Sequence, residues 1–375
     1  MRVIALIVRA GAVVAVSAVV VSLFVSGAEQ PVADRGAVAA ITQPTTPPVV
    51  RQVPSTPPTP VPITITATGD ITFGSVPDVP PDGGRSFFAD VQADLAGDVV
   101  LGNLEGTLAE RGMSTCPPGS AECRAFRVPP SYAARLADAG FTVVSLANDH
   151  AYDFGEAGLR ETVDALAAVG VGHTGRRGQV SVQPVGSVDV ALVGFAPHEW
   201  AASLTDIGAA KRLVRRAART ADIVVVVMHG GAEGADRQHV SPGNERYRGR
   251  NRGDVVRFSH AVVDAGADLV VGHGPRVLRG MEWYKRRLIA YSLGTLGGYE
   301  VIPRDGPLAV AGILRVTLSS DGSFQTGRLV PTRLAGAGIP GLDPAETAHA
   351  VVRELSREDF GERGVTISAD GILGR

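Results

Sequence analysis

Five stretches of β-branched and apolar residues in this 375-residue chain each run into residues able to bind a metal ion. ITITATG runs into Asp70, DVVLG into Asn103 and Glu105, TVVSLA into Asn148, Asp149 and His150, DIVVVVM into His229, and DLVVG into His273. Taken singly, each ending has a plain structural reading, since a polar residue after a buried strand caps a helix, forms a turn or sits as a satisfied histidine. Taken together they argue for one site. Carboxylates, amides and two imidazoles make a mixed oxygen and nitrogen set that suits a divalent ion such as Mn, Zn, Fe or Mg. Two such ions about 3.5 to 4 Å apart activate a water molecule and clamp a phosphoryl or acyl oxygen. In α/β sheets the ligand site lies beyond the carboxyl ends of the strands, where these five endings would converge.

The elements that must position these residues follow from the apolar pattern. From residue 63 onward short β-branched runs alternate with longer amphipathic stretches, the pattern of an α/β protein whose strands are buried on both faces. Helices are predicted at 86–96, 130–139, 156–169, 206–220 and 254–265, and a β-hairpin at 308–318 and 324–332 around the turn Ser319-Ser320-Asp321-Gly322. A late antiparallel pair suggests a second sheet.

The ends read differently. Arg2 and Arg9 precede or flank an apolar run over 10–25 that closes in Ser26-Gly27-Ala28, so residues 1–28 read as a signal peptide or an uncleaved signal anchor. Residues 29–62 hold nine prolines among threonines and valines, the composition of an extended linker. Residues 63–335 form the predicted domain, and 336–375 a C-terminal tail with a short helix. Beyond residue 62, 32 basic residues face 36 acidic ones, a net charge of −4 that offers no field for a nucleic-acid backbone. Hydrophobic residues at 45% exclude a disordered chain, and the lack of a second long apolar run excludes a polytopic membrane protein. Cys116 and Cys123 bracket a short Pro/Gly loop, the arrangement of an extracytoplasmic disulfide.

GDITFG, NLEGTL, LANDHAYDFGEAG, MHGGAE, DAGADLVVGHGPRVLRG and LIAYSLG occur in order between residues 63 and 298. In order and wording they resemble the CapA-type capsule synthesis proteins of poly-γ-glutamate biosynthesis, a family similar to calcineurin-like metallophosphoesterases. The resemblance implies a four-layer αββα sandwich of the metallo-dependent phosphatase type, with mixed sheets. It places metal ligands at Asp70, Glu105, the Asn148 or Asp149 position, His229 and His273, for one or two ions. It makes His150 the catalytic imidazole, a proton donor or phosphoryl stabiliser. Asp153 then holds that ring or caps the helix that follows.

The departures matter equally. Asp149 stands where the family has asparagine, Gly230 where it has tryptophan, and Thr295 where it has asparagine. Arg276 replaces the last histidine of the GHxPH signature, and a guanidinium stays protonated and cannot ligate a cation. A second ion is weakened or lost if that histidine was a ligand, and Arg276, like Asn103, is expected to contact substrate through its carboxylate or phosphate. Glu233 is read as a partner orienting His229 or as an exposed loop acid. Arg237, Arg246, Arg248, Arg250 and Arg252 form either a solvated loop or a rim that attracts a polyanion.

The function expected is that of an exported or membrane-tethered protein acting in synthesis of capsule, poly-γ-glutamate or another anionic envelope polymer. It is a metal-dependent hydrolase or transferase, or else a non-catalytic polymer-binding or assembly subunit. No Gly-rich phosphate loop, Gly-x-Ser-x-Gly elbow or dinucleotide fingerprint occurs, so polymerisation would need membrane-bound partners that supply activation.

Overall fold

The computed structural model describes residues 61–120 and 122–375. The predicted signal segment and nearly all of the predicted linker lie outside the described residues. All five strands read from the sequence form, and they divide between two sheets. In the first, β1 (Pro62–Thr72), β2 (Val99–Leu104) and β3 (Val143–Ser145) run parallel, while Val310–Ser319 joins β1 antiparallel and pairs with Phe324–Ala335 as the predicted hairpin. In the second, β4 (Val188–Ala196), β5 (Ile223–His229) and β6 (Leu269–His273) run parallel, with β5 in the middle. The sheets have eight and seven strands.

Side-chain alternation explains the layering. On β5, Val225 and Val227 enter a core shared with Ile63 and Ile65 of β1 and Leu101 of β2, between the sheets. Val224 and Val226 point the other way, toward Val214 of α3 (Ile207–Ala217) and Phe258 and Val262 of α4 (Val255–Val263). Ile71, Val100 and Val144 of the first sheet likewise meet Leu136 of α1 (Ala133–Ala139) and Leu159 and Leu166 of α2 (Gly155–Ala168). A strand buried on both faces needs apolar residues at every position, hence the continuous valine runs. Each fully buried Val or Leu contributes roughly 1.5–3 kcal/mol, and the result is the expected four-layer αββα sandwich of mixed sheets.

Two expectations need correction. Residues 86–96 form consecutive i to i+3 turns ending in the short 3₁₀ helix Gln92–Asp94, with bonds from Phe87 N to Gly84 O, Val91 N to Phe88 O and Leu95 N to Gln92 O. Phe87, Phe88, Val91 and Leu95 are all buried, so the apolar spacing was real but a tighter winding satisfies it. Residues 336–375 are no tail. The helix α5 (Thr347–Phe360) places Ala348 and Val352 in the core between the sheets, joined there by Val365, Ile367 and Leu373. None of the described helices is long and apolar enough to cross a membrane.

Candidate metal centre

The sandwich brings donors from both sheets to one edge. Asp70 lies opposite Asn103 in the register of β1 and β2, and His229 lies opposite His273 in the register of β5 and β6. Asp70, Glu105 and His229 are buried, and one ligand atom from each lies within 4.8 Å of the others. His273 reaches the same group, its Nδ1 3.0 Å from Asp70 Oδ1.

The cluster is tested for a cation by the atoms left without partners. Asp70 Oδ2 and His273 Nε2 are buried and make no hydrogen bond. Glu105 Oε2 has no hydrogen bond either and faces only the Arg276 guanidinium, at 3.2 Å. Buried donors and acceptors are ordinarily paired, and leaving one unmade costs about 1–3 kcal/mol. Burial, with the charges of Asp70 and Asp149, pushes the Glu105 carboxyl up to about 8 against the pull of Arg276. Burial opposes ionisation of Asp70 too, but the His273 hydrogen bond and nearby positive charge hold it below its ordinary value. Burial lowers His229, favouring the neutral ring that a metal requires. Asp70, Glu105 and His229 fit one divalent cation, with His273 supporting Asp70 from the side through Nδ1.

Two amides serve the scaffold. Asn103 was expected to touch substrate, yet it is fully buried, donates from Nδ2 to Asp70 Oδ1 at 2.9 Å and accepts from Asn148 Nδ2 at 3.1 Å. It positions Asp70. Asn148, named among the expected ligands, accepts at Oδ1 from the backbone N–H groups of His150 and Ala151, while its Nδ2 also donates to Leu104 O. Both lone pairs of its oxygen are occupied in shaping the loop after β3.

Asp149, the alternative ligand, is held by the second half of the site. Its Oδ1 lies 2.9 Å from His229 Nε2 and its Oδ2 accepts from Arg252 Nη1 at 3.3 Å. Burial opposes ionisation, but His150, Arg252 and His229 together hold its carboxyl well below the usual range. At 22% side-chain exposure Asp149 marks the mouth of the cluster, whose other acids, Asp70 and Glu105, are sealed.

The arginines fill space where further ligands were expected. Arg276, with a left-handed φ of 63°, places Nη2 against Glu105 and 3.0 Å from His150 Nε2, and its Nε 2.8 Å from Glu233. Glu233 therefore partners Arg276 and not His229. Arg252 is buried, not part of a solvated rim: its Nη2 lies 3.1 Å from His229 Nε2 and its Nε donates to Gly231 O. The hairpin Glu245–Tyr247 and Arg250–Gly253 that carries it is pinned by Glu245, which forms a two-point ion pair with buried Arg279 at 2.7 and 2.8 Å. Gly230 and Gly274 leave the room, since a Cβ on Gly230 would meet Arg252 O at 3.0 Å, and one on Gly274 would meet Arg252 Nη2 at 3.0 Å.

His150 is oriented as expected, its Nδ1 2.9 Å from Asp153 Oδ2, which also accepts from Phe126 N. Burial opposes its charged form, yet Asp149 and Asp153 overcome this and hold it up at about 9. The guanidinium against Nε2 works the other way, because a permanent donor there requires an unprotonated nitrogen.

Sequence reasoning passed over His198 and misplaced Arg252. His198 follows β4 as the other donors follow their strands, so the same rule, applied to VDVALVGFAPH, would have found it. Its Nε2 is buried without a partner and its ring stacks on Trp200 at 4.7 Å, while Trp200 Nε1 donates to Asn148 O. Cys116 and Cys123 form the expected disulfide, and Arg248 on the hairpin bonds to Glu122 O inside that loop.

Two facing mixed sheets, helices outside them, and a buried carboxylate and imidazole cluster at the strand ends define a four-layer α/β sandwich with a candidate metal centre at one edge. The family model for the bacterial capsule synthesis protein PGA_cap matches residues 64–296, and the chain belongs to that family. "PGA biosynthesis protein CapA" of Bacillus subtilis is 34% identical over 176 residues, 42% of this chain and 43% of the relative. "Capsule biosynthesis protein CapA" of Bacillus anthracis is 35% identical over 180 residues, 42% of this chain and 40% of the relative, so the match spans under half of either. A "Probable polyglutamine synthesis accessory protein" of Mycobacterium tuberculosis is 28% identical over 315 residues, 74% of this chain and 77% of the relative. Among solved structures, a 5'-nucleotidase precursor of Thermus thermophilus superposes with a TM-score of 0.40 at 14% identity, covering 80% of this chain and 59% of that one.

Proposed function

We propose that this chain is an exported protein that acts on an anionic cell-envelope polymer of the poly-γ-glutamate kind as a hydrolase or transferase dependent on one divalent cation. The carrying observation is the buried, closely spaced group of Asp70, Glu105 and His229, in which Asp70 Oδ2 and Glu105 Oε2 make no hydrogen bond, beside a fixed guanidinium. A divalent ion held there would polarise a carbonyl or phosphoryl oxygen of the substrate. Asn103 keeps the Asp70 carboxylate aimed at the centre. Asp153 holds the His150 ring with Nε2 against Arg276, where it would exchange a proton with a leaving group once Arg276 shifts onto the substrate. The guanidinium then supplies two donors to a developing oxyanion.

Arg276 bears on the ion count. A cation close to its charge is repelled, and Arg252 already engages Asp149 and His229 Nε2, so one ion is retained. The disulfide supports an oxidising compartment, and polymer elongation is left to membrane-bound partners that supply activation. Metal analysis of the purified protein after dialysis, followed by Mn or Zn titration, tests this directly. One equivalent supports the reading, two show that the arginines leave room for a dinuclear centre, and none overturns it. The occupation of Asp149 and His229 by Arg252 also favours a second reading, a non-catalytic polymer-binding subunit, which the zero-metal outcome would select.

A further inference from the structure

On the outer side of the second sheet a cavity of about 790 Å³ lies over α3, with Phe195 and Leu213 among its apolar lining and Arg177, Arg212, Arg216 and Arg219 around it. Arg212 and Arg216 stand one turn apart on one side of α3, and Arg219 follows in the turn just after the helix ends at Ala217, so three guanidinium groups from one short stretch of chain line the cavity. None of the four forms an ion pair with a carboxylate among the described residues, although the chain has more acids than bases. Two are fixed in place by backbone oxygens: Arg177 donates to Glu199 O at 2.8 Å and Arg216 to Gly178 O. Each keeps further N–H groups free. Asp206, the acid nearest the helix start, is engaged as the cap of α3 through Ala209 N. His198 belongs to the same lining, and its stacking on Trp200 joins the cavity wall to the loop that bears Asn148 and Asp149.

We propose that this cavity is a second binding site, beside the metal centre, for a linear polycarboxylate. Guanidinium forks match carboxylates two donors to two acceptors, their succession suits a repeating chain, and the apolar lining accepts the methylene groups between the charges. The inference deepens the polymer reading above and rests on it for the choice of chain. Such a site would hold the polymer while one bond at a time enters the metal centre, keeping its local concentration high between turnovers.

The test uses the purified chain and a fluorescently labelled γ-linked glutamate oligomer at low salt with a chelator present. Binding should survive chelation and the Asp70→Ala change, and the double variant Arg212→Glu with Arg216→Glu should weaken it by at least about tenfold. Arg219→Glu, which breaks no backbone contact, should weaken it in the same direction, and unchanged thermal melting confirms that the variants fold. Unaltered affinity in the charge-reversed variants, loss of binding in Asp70→Ala, no binding by the wild type, or tighter binding of inorganic polyphosphate than of the oligomer each overturns the proposal. A chain that binds the oligomer through these arginines yet takes up no metal would keep this inference and sink the catalytic reading.

Discussion

Among the described residues two glutamates are fully buried, and their carboxyls behave in opposite ways. Glu282, in the strand Met281–Tyr284 of the second sheet, accepts from Tyr291 OH at 2.8 Å, meets His260 Nε2 at 2.9 Å and pairs with Arg363 at 2.6 Å. Burial alone would raise its pKa, but those partners hold it below its ordinary value. Glu105 has long contacts to Asn103 at 3.5 Å and to His229 Nδ1 at 3.4 Å, one guanidinium, and two like charges beside it, and its pKa rises to about 8. Loss of exposed surface alone thus does not decide the state of a carboxyl. A carboxylate ringed by donors is part of the framework, whereas one left short of donors is held ready for a positive charge that the fold does not itself provide.

The strongest way to break this contrast is to remove the one cation Glu105 has. Arg276→Ala should destabilise the metal-free protein by about 3–5 kcal/mol, because Glu105 and Glu233 lose their shared partner, and the loss should shrink when Mn or Zn is added, as calorimetric melting would show. Glu282→Ala should cost about 3 kcal/mol through the stranded His260 and Tyr291 groups, with no recovery on adding metal. Glu105→Gln should weaken metal affinity by about 100-fold in a titration while leaving the metal-free melting temperature at neutral pH unchanged, since a carboxyl raised to about 8 is already mostly neutral there. A fall in that temperature would place Glu105 in the framework after all.

The smallest effect is a pH dependence. Glu282 has a folded pKa below its ordinary 4.5, so its contribution is present above that pH and is lost as pH falls through the folded value. Glu282→Gln should therefore be less stable than wild type by about 1 kcal/mol at neutral pH, and the gap should narrow below about pH 4.5. A gap that stays constant in acid would show that His260 and Tyr291 do not favour the ionised form.

Much of this was legible in the sequence because buried parallel strands carry a strong signal. The valine runs of β5 and β6 and the donors at their ends come from local pattern, and the motif order supplied the sandwich. What stayed hidden depends on distance in space. Nothing around Arg252 shows that its hairpin folds inward, since that rests on Glu245 meeting Arg279, 34 positions away. Asn148 and Asn103 look like ligands in sequence, and only the three-dimensional hydrogen bonding shows that their amides hold each other and the loop. Glu233 reads in sequence as a partner of nearby His229 or as an exposed loop acid, while its partner in space is Arg276. The 336–375 segment looked peripheral because its apolar residues are sparse, yet they complete the core between the sheets.

The gap at Gly230 makes a single missing methyl group a gauge of the charge at the centre. With an alanine there, Cβ would stand 2.8 Å from Leu204 Cδ1 and 3.0 Å from Arg252 O, so the strand bearing Arg252 must give by a few tenths of an ångström, which loosens the hold of its guanidinium on Asp149 and His229 Nε2. A Gly230→Ala protein that takes up two equivalents of metal where the natural chain takes one would mean that the ion count is set by a steric vacancy outside the ligand set.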